Sequence, residues 1–347
     1  MMVKSKPLVT RPTVSVVIPC YNYGHYLPLA VRSALDQTGV DVDVLIVDDA
    51  STDDSAEVAH GLTAEDSRVA VMVHEVNAGH IATYNDGLKL VEGNYIVLLS
   101  ADDALPRNAI TRAVTLMERC PNVGLVYGFP TGFVDHPYEV TEKVRNWSVW
   151  DGQQWFSRQA RTGRNVIMSP EAVMRREAWE EIGEYDPRLP HAADMFVWLS
   201  TATRWDIGRV NGPPQAFYRT HGQNMHLTTH IGMITDLRER ALVFDLVFGE
   251  GRSRIKNAPS LHDQARKALA RSALLLALGE GLDSDPDADP GEFTRFAIST
   301  WPDVTGSALW RRCQESAGKK TKPNRVREFV RHVNEHVAWR RWRRYGK

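Results

Sequence analysis

Short apolar segments alternate with segments of helical periodicity over about 115 residues in the first half of this chain. The apolar segments, which we interpret as strands, lie at residues 14–18, 42–47, 69–73, 95–99 and 123–127. Between the first two, apolar residues recur with the spacing of one helix face, at positions 27, 30, 31, 34 and 35. This alternation predicts an α/β fold with a mostly parallel sheet flanked by helices on both faces.

Polar side chains lie shortly after four of these strands. In strand order they are Tyr21 and Asn22, Asp48 and Asp49, Asn77, and Asp102 and Asp103. Because a parallel sheet binds ligands beyond the carboxyl ends of its strands, we expect these side chains at one ligand-binding edge. Carboxylate pairs suit hydrogen bonds from a base or ribose, and Mg²⁺ or Mn²⁺ beside a diphosphate. They are also typical of turns and helix caps, which need no ligand.

Several other classes of protein are disfavoured. The first strand is not followed by the glycine-rich fingerprint of dinucleotide-binding folds, and no Walker-type phosphate loop is present. The 42 Lys and Arg residues balance 43 Asp and Glu, a formal net charge of -1, so we expect no nucleic-acid partner. Three widely spaced cysteines form neither a disulfide framework nor a zinc site, which favours a cytoplasmic location. No apolar run is long enough for a membrane-spanning helix.

Six sequence motifs follow one another between Thr13 and Asn224. They read VSVVIPCYNYGHYLPLAVRSALDQ, DVLIVDDASTDDS, NAGHIATYNDGL, GNYIVLLSADD, HAADMFVWL and YRTHGQN. In that order they resemble glycosyltransferase family 2, whose members are inverting nucleotide-sugar enzymes of the GT-A fold. The resemblance implies an enzyme that moves a sugar from a UDP- or dTDP-sugar to an acceptor hydroxyl by metal-assisted direct displacement.

The resemblance assigns the nucleotide end of the site first. Pro19 and Tyr21 are expected to flank the base, with the Tyr21 ring against its face, and Asn22 belongs to the same nucleotide-sugar site. Asp49 is expected to accept a hydrogen bond from the pyrimidine N–H, with Asp48 next to it.

The resemblance also assigns the diphosphate and the metal. Asn77 and Gly79 are expected along the diphosphate and the sugar. Asp102 is expected toward the ribose, and a divalent cation, Mg²⁺ or Mn²⁺, is predicted at Asp102, Asp103 and His221.

Asp194 matches the general base, which takes the proton of the acceptor hydroxyl. The alternative interpretation is that Asp194 only caps the helix that follows it. The chain departs from the family pattern in three places. Ala193 stands where glutamate is usual, and Ser100 replaces the first aspartate of the D-x-D motif. A basic residue common after the Asn-x-Gly turn is also missing, and His80 is its predicted substitute as a diphosphate contact.

Two other functions remain open. A nucleotidyltransferase that makes nucleotide sugars needs a glycine-rich loop with a cation after the first strand, and this chain lacks the cation there. A non-catalytic nucleotide-sugar or carbohydrate-binding protein is compatible with Ser100. For a transferase, we expect a nucleotide-sugar donor and a carbohydrate, lipid-linked or small-molecule acceptor.

The motifs predict a GT-A domain over residues 1–225. Its nucleotide-sugar-binding half is expected at 13–128 and its acceptor-side half at 129–225. Within the second half, residues 131–165 have no clear periodicity. This stretch contains Trp147, Trp150 and Trp155. These rings are expected either to stack on a sugar acceptor or to form a small core.

Residues 226–347 are predicted to form a helical region with a basic tail. From Ser307 to Lys347 the chain has 13 Lys and Arg residues and three Glu. The helices are a candidate homodimer interface. The tail alternates aromatic residues with arginines, which suits peripheral contact with an anionic membrane, a polyanionic acceptor, a subunit contact or a solvated face.

Overall fold

Within the chain, the computed structural model describes residues 2–3, 11–222, 232–250, 253–279 and 289–316. The chain divides into two compact units. The first comprises residues 1–152 and 166–221, and the second comprises residues 153–165 and 222–347. The predicted boundary at residue 225 and most of the basic tail lie outside the described residues, so the domain boundary and the role of the tail stay predictions.

The strands and helices of the described residues are numbered in chain order. The strands are β1 (Met2–Val3), β2 (Thr13–Cys20), β3 (Asp41–Asp48), β4 (Val69–Val73), β5 (Tyr95–Leu98), β6 (Val123–Tyr127), β7 (Pro130–Phe133), β8 (Asn146–Trp150), β9 (Val173–Arg175), β10 (Asp206–Asn211) and β11 (Ala216–Arg219). The helices are α1 (Leu27–Leu35), α2 (Ser55–Glu65), α3 (His80–Leu90), α4 (Ala109–Arg119), α5 (Gly152–Thr162), α6 (Arg176–Ile182), α7 (Ala193–Ala202), α8 (Met233–Glu250), α9 (Ala258–Ala277), α10 (Pro290–Thr300) and α11 (Ala308–Ser316).

Nine strands of the first unit form one sheet, in the order β1-β8-β10-β6-β9-β5-β2-β3-β4. The part made of β5, β2, β3 and β4 is parallel, as predicted, and α1, α2 and α3 connect its strands. β9 runs antiparallel between β5 and β6, while β8 runs antiparallel to β10. β7 and β11 form a separate parallel pair. The predicted α/β class is confirmed, with a sheet of mixed direction.

Burial of the parallel strands on both faces explains their uninterrupted apolar sequences. In β2 the fully buried side chains include Val14, Val16, Val17 and Ile18. α1 turns the predicted apolar face inward, and its buried residues are Leu27, Ala30, Val31 and Ala34. Because the helices cover the apolar faces of the strands, the polar residues of this part of the sheet lie at the carboxyl ends of the strands.

The stretch at residues 131–165 contains β8 and α5, although its sequence shows no clear period. β8 has only five residues and pairs with β10 and β1, so too few positions are available for a period to be recognised. Trp147 is fully buried in the core of the first unit, and Trp155 of the second unit is nearly so, so each is a core residue of its own unit. Trp150 is half-buried and stacks on Tyr127, with ring centroids 6.3 Å apart.

The second unit is helical in its described residues, as predicted for the C-terminal region. Phe156 of α5 packs edge-on against Phe248 of α8, with ring centroids 5.4 Å apart. Asp245 of α8 accepts hydrogen bonds from His262 and Arg266 of α9, at 2.6 and 3.0 Å. Among the described residues, no helix combines the length and the apolar character that a membrane crossing requires. The homodimer and the cytoplasmic, membrane-peripheral location stay predictions.

Gly87 allows α3 to lie close to the sheet, and its replacement should destabilise the first unit. A Cβ at this position would lie 2.5 Å from Cγ1 of Val17 and 2.9 Å from Cγ2 of Val47. We expect Gly87→Ala to lower the free energy of unfolding by about 1–3 kcal/mol through overpacking. Thermal and urea unfolding followed by circular dichroism will measure the change.

Gly61 of α2 provides the matched control, since no described atom lies within 4 Å of its Cβ position. Gly61→Ala should raise stability by up to about 1 kcal/mol, because alanine is the better helix former. Equal stabilisation by both substitutions would contradict the close approach of α3 to β2 and β3.

Candidate active site

Asp48, the last residue of β3, closes its own turn, and Asn22, after β2, ties its loop to the loop after β3. The carboxylate of Asp48 accepts hydrogen bonds from the backbone N–H and the hydroxyl of Ser51, at 3.0 and 2.6 Å. The side-chain oxygen of Asn22 accepts from the backbone N–H of Thr52 at 2.7 Å. Asp48 therefore has the turn-forming role that the sequence left open. The nucleotide contacts of Asp48 and Asn22 stay predictions.

Asp49 is buried and organises the turn that leads into α3. Its Oδ1 accepts from Nδ1–H of His74 and from the backbone N–H of Ala78, both at 2.8 Å. Its Oδ2 accepts from the backbone N–H of Gly79 at 2.9 Å, and its backbone oxygen accepts from the Asn77 amide at 3.1 Å. Burial alone would raise the pKa of Asp49, but these hydrogen bonds hold the pKa below its ordinary value. The structure thus brings Asp49, Asn77 and Gly79 together.

Tyr21 and Gly79 both present open surface. The Tyr21 side chain is 46% exposed, which leaves its ring accessible to a stacked base, and Pro19 is half-buried at the end of β2. Gly79 has φ +85°, a left-handed conformation that favours glycine. No described atom lies within 4 Å of its Cβ position, so a ligand can approach the backbone there. The base and diphosphate contacts of these residues stay predictions.

His80 begins α3 and links this helix to the segment before α7. Its Nε2–H donates to the backbone oxygen of Pro190 at 2.7 Å. Its ring meets that of Tyr84 edge-on, with centroids 5.5 Å apart. The diphosphate contact of His80 stays a prediction; its Nε2 already holds the segment that leads to Asp194.

Asp194 is the second residue of α7, inside the first turn, and Ala192 occupies the N-cap position. Its Oδ1 accepts from the backbone N–H of Met195 at 2.6 Å. Burial raises the pKa of the Tyr84 hydroxyl, and so do the charges of Asp194, Asp102 and Asp103. Carboxylates from two separate stretches of chain therefore all influence the pKa of Tyr84.

Asp102 and Asp103 follow β5 and meet residues that follow or end β11. Nε2 of His221 and Oδ2 of Asp102 are 3.0 Å apart. Asp103 is buried, and its Oδ1 accepts from the backbone N–H of Arg219 at 2.9 Å. Burial and the neighbouring charge of Asp102 raise the pKa of Asp103 well above its ordinary value. The three predicted metal ligands thus lie on two adjoining segments.

Arg219 holds these segments together, a role that the sequence did not reveal. Its guanidinium lies between the rings of Tyr26 and Phe133, at 4.4 Å from each centroid. Its Nε–H donates to the backbone oxygen of Asp102 at 2.8 Å, and a terminal N–H donates to the backbone oxygen of Asp135 at 3.0 Å. The sequence feature that could have pointed to Arg219 is its position two residues before His221 in the YRTHGQN motif.

An aromatic cluster covers the same region. The rings of His25 and Tyr26 lie 3.9 Å apart, centroid to centroid, and Tyr26 lies 5.3 Å from His221. Tyr23 meets His221 edge-on at 5.6 Å. The loop after β2 is therefore packed directly on one of the predicted metal ligands.

The donor set fits a cation shared with a diphosphate better than a closed protein cage. Within the described ranges, no three His, Cys, Asp or Glu side chains form a metal-binding group. Asp102 and His221 nevertheless offer a carboxylate oxygen and an imidazole nitrogen side by side. Mg²⁺ is commonly held by one or two carboxylates with phosphate oxygens and water, and imidazole also suits transition metals.

Known proteins resemble this chain in sequence. Residues 15–183 match the profile described as Glycosyl transferase family 2. An uncharacterized glycosyltransferase of Nostoc sp. is 27% identical over 220 residues, which cover 62% of this chain and 67% of the relative. The chondroitin synthase of Pasteurella multocida is 39% identical over 215 residues, which cover 61% of this chain and only 21% of that enzyme. The chain spans less than half of several other relatives.

Solved structures share the fold. Staphylococcus aureus TarS 1–349, crystallised with UDP, superposes with a TM-score of 0.59 at 15% identity, over 90% of this chain and 93% of that one. The mannosyltransferase PcManGT of Pyrobaculum calidifontis, in complex with GDP-Man and Mn²⁺, gives a TM-score of 0.52 at 17% identity, over 89% and 90%. The fold is GT-A, as the sequence predicted.

Replacement of Arg219 by lysine should loosen the site. Lysine cannot reproduce the planar stacking or the hydrogen bonds to three backbone oxygens. We expect Arg219→Lys to lower the free energy of unfolding by about 2–4 kcal/mol, since it leaves buried acceptors unpaired. Thermal unfolding will measure the loss.

Arg68→Lys is the matched control, because Arg68 is exposed and pairs with its near neighbour Asp66. A surface pair of this kind contributes less than about 1 kcal/mol. Equal effects of the two substitutions would show that Arg219 is no more than a surface cation.

Proposed function

This chain carries a family 2 glycosyltransferase domain at residues 15–183, and we propose that it transfers a sugar from a nucleotide sugar to an acceptor hydroxyl with inversion of configuration. One observation supports the proposal most. Nε2 of His221 lies 3.0 Å from Oδ2 of Asp102, and the charges of Asp102, Asp103 and Asp194 all help to raise the pKa of Tyr84. This arrangement offers a cation-binding end and a proton acceptor within one region.

The cation-binding end suits a leaving diphosphate. Asp102 and His221 would hold Mg²⁺ or Mn²⁺, beside the buried carboxylate of Asp103. When bound, a divalent cation offsets the negative charge that grows on the diphosphate as the glycosidic bond breaks. Arg219 contributes by fixing the backbone of Asp102 and the carboxylate of Asp103.

Asp194 is the proposed general base. Its carboxylate takes the proton of the acceptor hydroxyl as that oxygen attacks the anomeric carbon, a contribution of about 10²–10⁴-fold. The hydrogen bond from the backbone N–H of Met195 keeps the carboxylate at the start of α7. A single displacement from the side opposite the leaving group inverts the configuration.

The donor is proposed to be a UDP- or dTDP-sugar. Asp49 presents a carboxylate oxygen to a base N–H, and the exposed ring of Tyr21 offers a stacking face. Neighbours crystallised with UDP, UDP-GlcNAc or GDP-Man support a nucleotide-sugar donor. Of the three classes of acceptor named above, a carbohydrate is supported by relatives named chondroitin synthase and hyaluronan synthase.

A non-catalytic nucleotide-sugar-binding protein is the second candidate. It is favoured by Ser100, which removes one carboxylate from the D-x-D motif. Release of nucleoside diphosphate from a donor sugar separates the two, because a binding protein retains the donor intact.

Asp194→Asn should abolish turnover while donor binding persists. We expect the release of nucleoside diphosphate to fall by about 10²–10⁴-fold, because asparagine cannot accept the proton. A coupled assay with a panel of UDP-, dTDP- and GDP-sugars will measure it. Asp303→Asn, which alters an exposed carboxylate of the second unit, is the control. Transfer by Asp194→Asn at the wild-type rate would remove Asp194 as the base.

Nucleotide binding should depend on a divalent metal. With ligand at 100 times its dissociation constant, UDP and Mn²⁺ together should stabilise the protein by about 2.7 kcal/mol. Differential scanning fluorimetry will compare UDP, dTDP and GDP with and without Mn²⁺. Asp102→Asn with His221→Ala should remove the effect of Mn²⁺. A stabilisation that is the same with EDTA would contradict the proposed cation.

A further inference from the structure

We propose that His74 is a positioning residue that orients Asp49 toward the base of the nucleotide donor. This inference rests on the proposed function, since it concerns how the same site holds its nucleotide. His74 lies outside every motif that the sequence singled out, and it follows β4 directly.

His74 is fixed at the end of β3 from two directions. Its backbone N–H donates to the backbone oxygen of Asp48 at 2.9 Å, and its Nδ1 lies 2.8 Å from Oδ1 of Asp49. The side chain is only 9% exposed, so the ring has little freedom to turn away. The imidazole is therefore held against the carboxylate by the backbone that carries it.

The direction of this hydrogen bond follows from the other donors. Asp49 also accepts from the backbone N–H groups of Ala78 and Gly79, which identifies it as a carboxylate acceptor. Nδ1 of His74 must then carry the proton. A carboxylate oxygen has two lone pairs, and His74 and Ala78 occupy both on Oδ1.

Oδ2 of Asp49 receives fewer hydrogen bonds from the protein than Oδ1 does. It accepts one protein donor, the backbone N–H of Gly79, so a second lone pair remains for a ligand N–H. His74 fills the second lone pair of Oδ1 and, together with the backbone N–H groups of Ala78 and Gly79, holds the carboxylate in one orientation with Oδ2 available to the ligand. A base N–H then meets a preformed acceptor.

The opposite side of the ring shows no competing hydrogen bond. Nε2 of His74 is buried and has no hydrogen-bond partner in the described part of the chain. Nε2 lies 3.6 Å from Oδ2 of Asp86, which is within ion-pair distance but too far for a hydrogen bond. The hydrogen bonding of the ring is thus directed at Asp49.

The test separates base recognition from diphosphate binding. Isothermal titration of the full chain with UDP, dTDP or GDP first identifies the tightest nucleotide, and its monophosphate and inorganic pyrophosphate, each with Mn²⁺, serve as further probes. His74→Leu removes the donor, and His74→Asn keeps an N–H near the position of Nδ1. His60→Leu changes an exposed histidine of α2 as the control.

His74→Leu should weaken the nucleoside mono- and diphosphate about tenfold, the value of one charge-assisted hydrogen bond, and leave pyrophosphate within about twofold. His74→Asn should recover at least half of the change in log Kd that His74→Leu causes. In turnover, KM for the donor should rise while kcat changes little.

Three results would overturn the role of His74 alone and leave the proposed function in place. A folded His74→Leu variant that binds the nucleotide as tightly as the wild type shows that Asp49 needs no orienting partner. Equal weakening of nucleotide and pyrophosphate indicates a purely structural role, and so does failure of His74→Asn to recover binding. If the wild type binds none of the three nucleotides, the proposed function itself fails, and this inference fails with it.

Discussion

Buried carboxylates at the ends of parallel strands are the constraint on which this site depends. An ionised carboxylate loses its hydration when it is buried, so each one needs donors or a cation. Asp49 is satisfied by His74 and by two backbone N–H groups, which also shape the turn into α3. Asp102 and Asp103 share a region with His221 and Arg219. The first group keeps one acceptor position, on Oδ2 of Asp49, for a ligand N–H, whereas the second retains a carboxylate and an imidazole that suit a bound cation.

The parallel half of the sheet could be predicted from the sequence, because strands buried on both faces show as apolar runs and their helices show a clear period. The antiparallel half could not. β9 has three residues and β8 has five, so neither contains enough positions to display an alternation. Their place in the sheet is decided by pairing with β5, β6 and β10, which are distant in sequence.

The same distinction holds at the site. Carboxylates at or shortly after the end of a strand could be recognised, since the carboxyl ends of parallel strands share one edge. The residues that hold them could not, because their contacts are set by tertiary structure. Arg219 meets Tyr26 and Phe133 across long sequence separations, and His74 lies in a segment with no distinguishing pattern. The sequence likewise could not show that Asp48 serves a turn while its neighbour Asp49 organises a second loop.

The central claim is that Asp102 and His221 share one cation with the diphosphate of a nucleotide whose base lies at Asp49. Crystals of the protein with Mn²⁺ and the nucleoside diphosphate, measured at the manganese absorption edge, test it most directly. The account predicts one anomalous peak within coordination distance of Oδ2 of Asp102 and Nε2 of His221, with the base against Tyr21 and Asp49. A manganese peak remote from Asp102, or a nucleotide bound away from this edge of the sheet, would contradict it.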